Sequence, residues 1–344
     1  MPPRSYYNEP RPSDYVAFAK AFFPDELQAA SEFAETRGLP YINSSAHIAA
    51  YLGVSASLLR QVIHKPAYHY REFPIKKASG ADRIVSTPKT YLKVIQWWIA
   101  DNILNKIQLS DSVHGFRRGK SYFTNASVHL NSKHILNVDV ESFFDSITFA
   151  QITNVFNSLG YTEAGSLTLA TLTSKNGIAP TGAPTSPMIA NAILRSLDSH
   201  LEAFAAKSNL LYTRYADDLT FSSPEWIDQS VVDAVTKYVE SQGFKLNAKK
   251  TKFMGPGDRM EVTGLVTNAG LNASKEWRNW ARGFLHRVSR EPAKHIGEIE
   301  RVRGVYGVLR QLDPEKHKKL TVAAEQAMGH LADVKRALAG SKQS

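Results

Sequence analysis

Asp217 and Asp218 are adjacent in the stretch RYADDLTFSS, from Arg214 to Ser223. Upstream, LLYTRY is rich in aromatic and β-branched residues, and downstream LTFSS alternates apolar and polar, which places the pair near the tip of a hairpin. Adjacent carboxylates repel. Either a solvated turn screens them, or a divalent cation draws on both, since Mg²⁺ takes oxygen ligands and is commonly held by one or two carboxylates together with substrate phosphates. A third acidic group bears on the choice. Asp139, in the strand-like ILNVDV, has apolar neighbours on both sides, where an isolated charge would be costly unless paired or metal-bound. Carboxylates carried on separate strands and converging on two ions are what metal-assisted phosphoryl transfer requires.

The elements that must position these groups read as a mixture of helices and short strands. A helical pattern from Asp14 to Arg37 is interrupted at Pro24. SAHIAAYLGVSASLLRQVIH resembles a helix-turn-helix unit, which can read DNA or serve as a compact helical pair. In YREFPIKKASGADRIVSTP, two β-patterned stretches flank a hairpin turn and carry Lys76, Lys77 and Arg83, either as a solvated edge or as a phosphate contact. An amphipathic helix is expected at TYLKVIQWWIADNILNKI and a long one at SPMIANAILRSLDSHLEAFAAK. After the aspartate hairpin come a helix at VVDAVTKYVESQGF and strand-like KTKFMG and EVTGLVTN, and the chain reads as helical from Ser274.

Bulk properties narrow the chemistry. The 344 residues are 43% hydrophobic, enough for a sizeable core. No cysteine occurs, which excludes disulfides, thiolate metal sites and cysteine nucleophiles. The opening MPPRSYYNEP lacks the apolar core of a signal peptide, and no apolar run is long enough to span a bilayer, so a cytoplasmic protein without a membrane partner is expected. A net charge of +10 favours polyanionic partners. KEWRNWARGFLHRVSR interleaves cations with aromatics. Trp277, Trp280 and Phe284 fall at helical spacing and suit a core stripe, while Arg278, Arg282 and Arg287 are expected to meet solvent or phosphate.

Five segments in order, NVDVESFFDSI, TGAPTSPMIAN, RYADDLTF, GFKLNAKKTKFM and EVTGLVTN, resemble the successive palm motifs of reverse transcriptases, a likeness that runs from Phe73 to Asn268. NASVH, from Asn125 to His129, and Val262-Thr263-Gly264 are similar to the NAxxH and VTG elements of the retron group. The resemblance implies an α+β, right-hand polymerase fold: an N-terminal helical region over 1–72, fingers over 73–130, a palm over 131–270 and a basic helical thumb over 271–344.

It also implies roles for single residues. Asp139, Asp217 and Asp218, with the peptide carbonyl of Val140, would hold two Mg²⁺ ions. Lys77 and Arg83 would clamp the incoming triphosphate, with Lys76 as a substitute for Lys77. Phe144, five residues past Asp139, matches the aromatic gate that favours deoxyribonucleotides. Gly182 would allow close backbone approach near the nucleotide, and Ser186 would join it there while opening a helix with Pro187. Thr181 departs from the Gln usual at its position. Asn125 and His129, four apart on one helical face, are expected to have a structural or RNA-contact role, and Lys249, Lys250 and Lys252 to face either phosphate or solvent.

The implied function is copying of a structured non-coding RNA into DNA from deoxynucleotides, primed by an internal guanosine 2′-hydroxyl. The RNA–DNA product (msDNA) would serve bacterial anti-phage defence with a separate effector protein. The competing readings are a group II intron-like or abortive-infection reverse transcriptase, and a non-catalytic RNA scaffold or DNA binder.

Overall fold

The computed structural model describes residues 10–76, 80 and 82–340. Lys77, a triphosphate candidate, lies outside them. In chain order the helices and strands are α1 (Pro12–Phe22), α2 (Leu27–Arg37), α3 (Ser45–Leu52), α4 (Ala56–His64), β1 (Tyr70–Lys76), β2 (Asp82–Pro88) and α5 (Thr90–Asn102). Next come α6 (Tyr122–Val128), β3 (His134–Asp139), α7 (Phe143–Ser146), α8 (Phe149–Ser158), α9 (Glu163–Thr173), α10 (Ser186–Lys207), β4 (Leu211–Tyr215) and β5 (Asp218–Ser223). The chain continues through α11 (Gln229–Ser241), β6 (Lys252–Met254), β7 (Glu261–Val262), β8 (Leu265–Val266), β9 (Asn272–Ala273), α12 (Lys275–Arg290), α13 (Ile299–Leu309) and α14 (Pro314–Gly340). No helix among the described residues is long and apolar enough to cross a membrane.

Two compact units are each assembled from three stretches of chain. The first takes the residues up to Phe116, Val140–Ala203 and Asp233–Asn247. Its β1–β2 hairpin is antiparallel, in register from Tyr70 opposite Pro88 to Lys76 opposite Asp82. A two-stranded ribbon is marginal alone in water, and here side-chain hydrogen bonds anchor its root. Buried Gln96 of α5 donates from Nε2 to the Tyr70 hydroxyl and to the Leu172 carbonyl at the end of α9, both at 2.8 Å. On the other strand, the Ser86 peptide is bonded on both sides. Its N–H donates to Thr181 Oγ1 at 3.3 Å, and its carbonyl accepts from the Gly182 N–H at 3.0 Å.

The second unit holds Arg117–Asp139, Phe204–Val232 and the chain from Ala248. Its four-stranded sheet has the order β4-β5-β3-β6, antiparallel at every pairing. A small sheet, β7-β8-β9, completes the strands of this unit among the described residues. Thr263 (φ 47°) and Gly264 (φ 81°) make the two-residue link from β7 to β8, so the VTG element is a tight hairpin turn of the left-handed kind that suits strand twist. Phe123, Ala126, Ile135, Met254, Val262 and Leu265 form one apolar core, which joins α6 to both sheets. A second core belongs to the C-terminal helices, where Phe284 and Leu285 of α12 meet Val302, Val305 and Leu309 of α13 and Ala324, Ala327 and Leu331 of α14.

Candidate active site

The carboxylates come together because of strand register. Asp139, the last residue of β3, pairs with Asp218, the first of β5, and Asp218 also faces Tyr215 across the β4–β5 hairpin. Only Ala216 and Asp217 are left to turn the chain. Ala216 adopts φ 59°, a left-handed conformation that costs an L-residue on the order of 1–2 kcal/mol. The fully buried Arg214 donates from Nη1 to the Ala216 carbonyl at 3.1 Å, which ties the turn to the strand below it.

His129 supports the same hairpin from inside. Its Nδ1 lies 2.7 Å from Ser222 Oγ on β5 and its Nε2 lies 2.7 Å from Thr213 Oγ1 on β4. Ser132 Oγ donates to Ser222 Oγ at 2.9 Å, which extends this buried polar chain behind the hairpin. The imidazole thus bridges adjacent strands as a rigid strut. Asn125, one turn earlier in α6, is also fully buried. Of the two roles expected for Asn125 and His129, the structural one fits, because buried side chains have no surface to offer RNA. This corrects the direct RNA contact.

Electrostatics at the strand ends are dominated by crowded negative charge. Asp139 is 7% exposed, and both of its carboxylate oxygens accept from Lys250 Nζ, at 2.8 and 2.9 Å. Lys250 ends a short 3₁₀ turn (Ala248–Lys250) just before β6, and its hydrogen bond to Asp139 raises its pKa. The Asp218 carboxyl is pushed up to about 7, first by desolvation and then by the charges of Asp217 and Asp139, with Lys250 opposing. Asp218 has an exposed outer edge, so the desolvation comes from the protein packed behind it. Asp139, Asp218, Asn137, Lys249, Lys250 and Lys252 line an open cavity of about 390 Å³. Crowded carboxylate oxygens are the hard donor set that Mg²⁺ takes, so the residue types fit. Among the described residues, however, no three acidic or histidine side chains have the spacing to hold an ion.

The remaining candidates belong to the first unit. Arg83 lines a cavity of about 350 Å³ with Glu72, Asp145, Lys175 and Thr181. Lys76 is paired across the hairpin with Asp82, Nζ to Oδ1 at 2.8 Å, which weighs against it as a substitute for Lys77. Phe144 is half-buried in α7, with its ring 6.3 Å from Phe116 and 5.3 Å from Phe143. Val140 is buried and bridges to Leu246. A Cβ on Gly182 would stand 2.7 Å from the Ser86 carbonyl oxygen, so the close approach this glycine permits is to β2. Ser186 is fully buried and donates from Oγ to the Pro180 carbonyl at 2.7 Å, holding the turn that opens α10. Its side chain is therefore spent on the protein and not on a nucleotide. Thr181, where Gln was expected, also donates to the Ile84 carbonyl at 3.4 Å, so its hydroxyl straps the loop to β2.

On α12, Phe284 is core and Trp277 half-buried, while Trp280 is 37% exposed and stacked on Phe284 at 5.3 Å beneath the Arg301 guanidinium. Arg282 and Arg287 are exposed and Arg278 half-buried. Sequence reasoning overlooked Arg214 and the buried Lys175, which pairs with Glu72 and donates to Ser86 Oγ at 3.0 Å. A basic residue inside an apolar strand is the only signal that marked Arg214, and nothing marked Lys175.

Residues 75–278 match the family described as reverse transcriptase (RNA-dependent DNA polymerase). The chain belongs to that family and is an RNA-directed DNA polymerase. Its similarity to curated proteins places it with the retron type. It is 34% identical to the retron Mx65 reverse transcriptase of Myxococcus xanthus, over 86% of this chain and 74% of that one. To the retron Ec86 reverse transcriptase of Escherichia coli it is 33% identical, over 82% of this chain and 89% of that one. The retron Mx162 reverse transcriptase of Myxococcus xanthus is 31% identical, over 83% of this chain and 67% of that one. Among solved structures, a telomerase from Candida albicans overlaps with a TM-score of 0.40 and 11% identity, over 64% of this chain and 50% of that one, too little to argue from.

Proposed function

We propose that this polymerase copies part of a cognate structured non-coding RNA into single-stranded DNA joined to that RNA, primed from an internal guanosine 2′-hydroxyl. In this reading the RNA–DNA product acts with a separate effector protein against phage. The observation that carries the catalytic part is the register that sets Asp139 opposite Asp218, with Asp217 in the turn beside it, in a chain similar to retron enzymes over most of its length.

The chain's own groups divide the work. Asp139, Asp217, Asp218 and the peptide carbonyl of Val140 would hold two Mg²⁺ ions. When bound, such ions supply the charge that activates a primer hydroxyl and stabilises the leaving pyrophosphate. Lys77 and Arg83 neutralise the triphosphate oxygens of an incoming deoxynucleotide, and Phe144 closes the space a ribose 2′-hydroxyl would need. Gly182 acts at one remove by seating its loop on β2, the strand that carries Arg83. Arg278, Arg282 and Arg287 supply phosphate contacts along the nucleic acid. The names fingers, palm and thumb follow from this division, for residues 73–130, 131–270 and 271–344.

The test is to express the gene with its native flanking DNA, purify the protein and run its bound nucleic acid on a denaturing gel after RNase or DNase. Short DNA attached to RNA, absent from Asp217→Asn, is the expected result. A wild type that extends a supplied primer on RNA but carries no such hybrid is a reverse transcriptase of another use.

A further inference from the structure

The strand ends crowd carboxylates together, Asp139 opposite Asp218 with Asp217 beside it in the turn. Asp139 is 7% exposed and faces Asp218 in register with Asp217 next in the chain, so without a cation these carboxylates would repel at a site that desolvates them. A cation is already there. Lys250 Nζ bridges both oxygens of Asp139, at 2.8 and 2.9 Å. Its side chain is 59% exposed, so the ammonium can leave for water at little desolvation cost.

From this we infer that Lys250 is the built-in counter-ion of the carboxylate site and competes with the divalent metal for Asp139. The inference rests on the metal reading proposed above. Metal entry is then an exchange of one cation for another: the ammonium gives up Asp139 as the ion takes it, and the three carboxylates close up only after the exchange. The site therefore stays folded at low metal concentration, and its apparent metal affinity is lower than the bare carboxylates would give. The neighbouring Lys252 provides the control. It lines the same cavity from β6, opposite Asn137, and carries the same charge without the bridge to Asp139.

The test is binding of Mn²⁺, followed by its electron paramagnetic resonance signal, to the full-length protein freed of nucleic acid. Lys250→Met is expected to bind Mn²⁺ about fivefold more tightly than wild type, the upper size of one partly exposed ion pair. Lys252→Met should change affinity by about twofold or less, the size of a screened surface charge, and Lys250→Arg should bind no more tightly than wild type. In the absence of metal, Lys250→Met should melt below wild type and recover when Mn²⁺ is added. Lys250→Met binding equal to Lys252→Met, or weaker than wild type, would overturn the competition. Mn²⁺ binding that survives unchanged in Asp139→Asn would overturn the metal reading itself, and the competition with it.

Discussion

Within one compact unit, the carboxylate-bearing sheet adds a buried polar network to its apolar core, while the C-terminal helices rely mainly on apolar packing. The sheet buries polar groups: Arg214, Thr213, Thr220, Ser222 and His129 are all 1% exposed or less. The helices bury aliphatic and aromatic side chains and leave Arg282, Arg287 and Arg290 outside. Hydrogen bonds are directional, so a polar interior sets atomic positions tightly, whereas apolar packing is set by volume and tolerates rearrangement. The proposed catalytic carboxylates are on the first kind of scaffold, where a small displacement would cost most. Exposed Arg282, Arg287 and Arg290 are on the second kind, where long-range charge matters more than position.

The comparison can be broken first at its chemical end. Asp217→Asn should lower primer extension by about 10³-fold or more, since it removes a ligand charge without changing shape, and RNA affinity should stay within about threefold. Primer-extension and filter-binding assays on the same preparation separate the two, and retained extension would remove Asp217 from the site. In the helices, Leu309→Ala should cost about 2–4 kcal/mol of stability by denaturant unfolding, while extension per folded molecule stays near wild type.

His129→Ala tests whether the polar sheet behaves differently. It leaves Ser222 and Thr213 hydroxyls buried without their partner, at a cost of about 1–3 kcal/mol. Unlike Leu309→Ala, it should also lower extension by folded protein, by about tenfold, because its strut ties the two strands of the aspartate hairpin. Equal activity per folded molecule in the two variants would abolish the distinction drawn between the regions. The smallest effect is expected at the surface, where Arg287→Ala should reduce the slope of log affinity against log salt by about one and weaken all RNA sequences alike.

Much of the fold could be read along the chain where local signals agreed. The α10 helix spans Ser186–Lys207, as its Ser-Pro start and 3.6-residue periodicity predict. The hairpin around RYADD lies where its β-branched and aromatic flanks put it, and the break at Pro24 separates α1 from α2. The α8 and α9 helices went unread. In α9, EAGSLTLATLT dilutes its Ala and Leu with a glycine, a serine and three threonines, and the helix packs so closely that a Cβ on Gly165 would stand 2.2 Å from the Ile42 carbonyl oxygen. Candidate site residues were legible by chemical type, but Ser186, Asn125 and His129 are fully buried inside the protein. Burial is a property of the folded surroundings, and a short motif carries no measure of it.

The sequence by itself determined the chemistry this protein can perform. It has three aspartates in strand-forming contexts, a basic surplus, no thiols and a series of motifs that resemble one family of polymerases. Those facts are local, because residue type, alternation along a strand and turn preference act over a few positions. Only the tertiary structure decided who meets whom. Lys250 finds Asp139 across 111 positions because a turn beside β6 leads into the strand that pairs with β3. His129 reaches Thr213 and Ser222 because α6 packs against the sheet whose neighbouring strands carry them. Contacts of that range follow from strand order and register, which depend on how every element shares one core, and no window of sequence contains them.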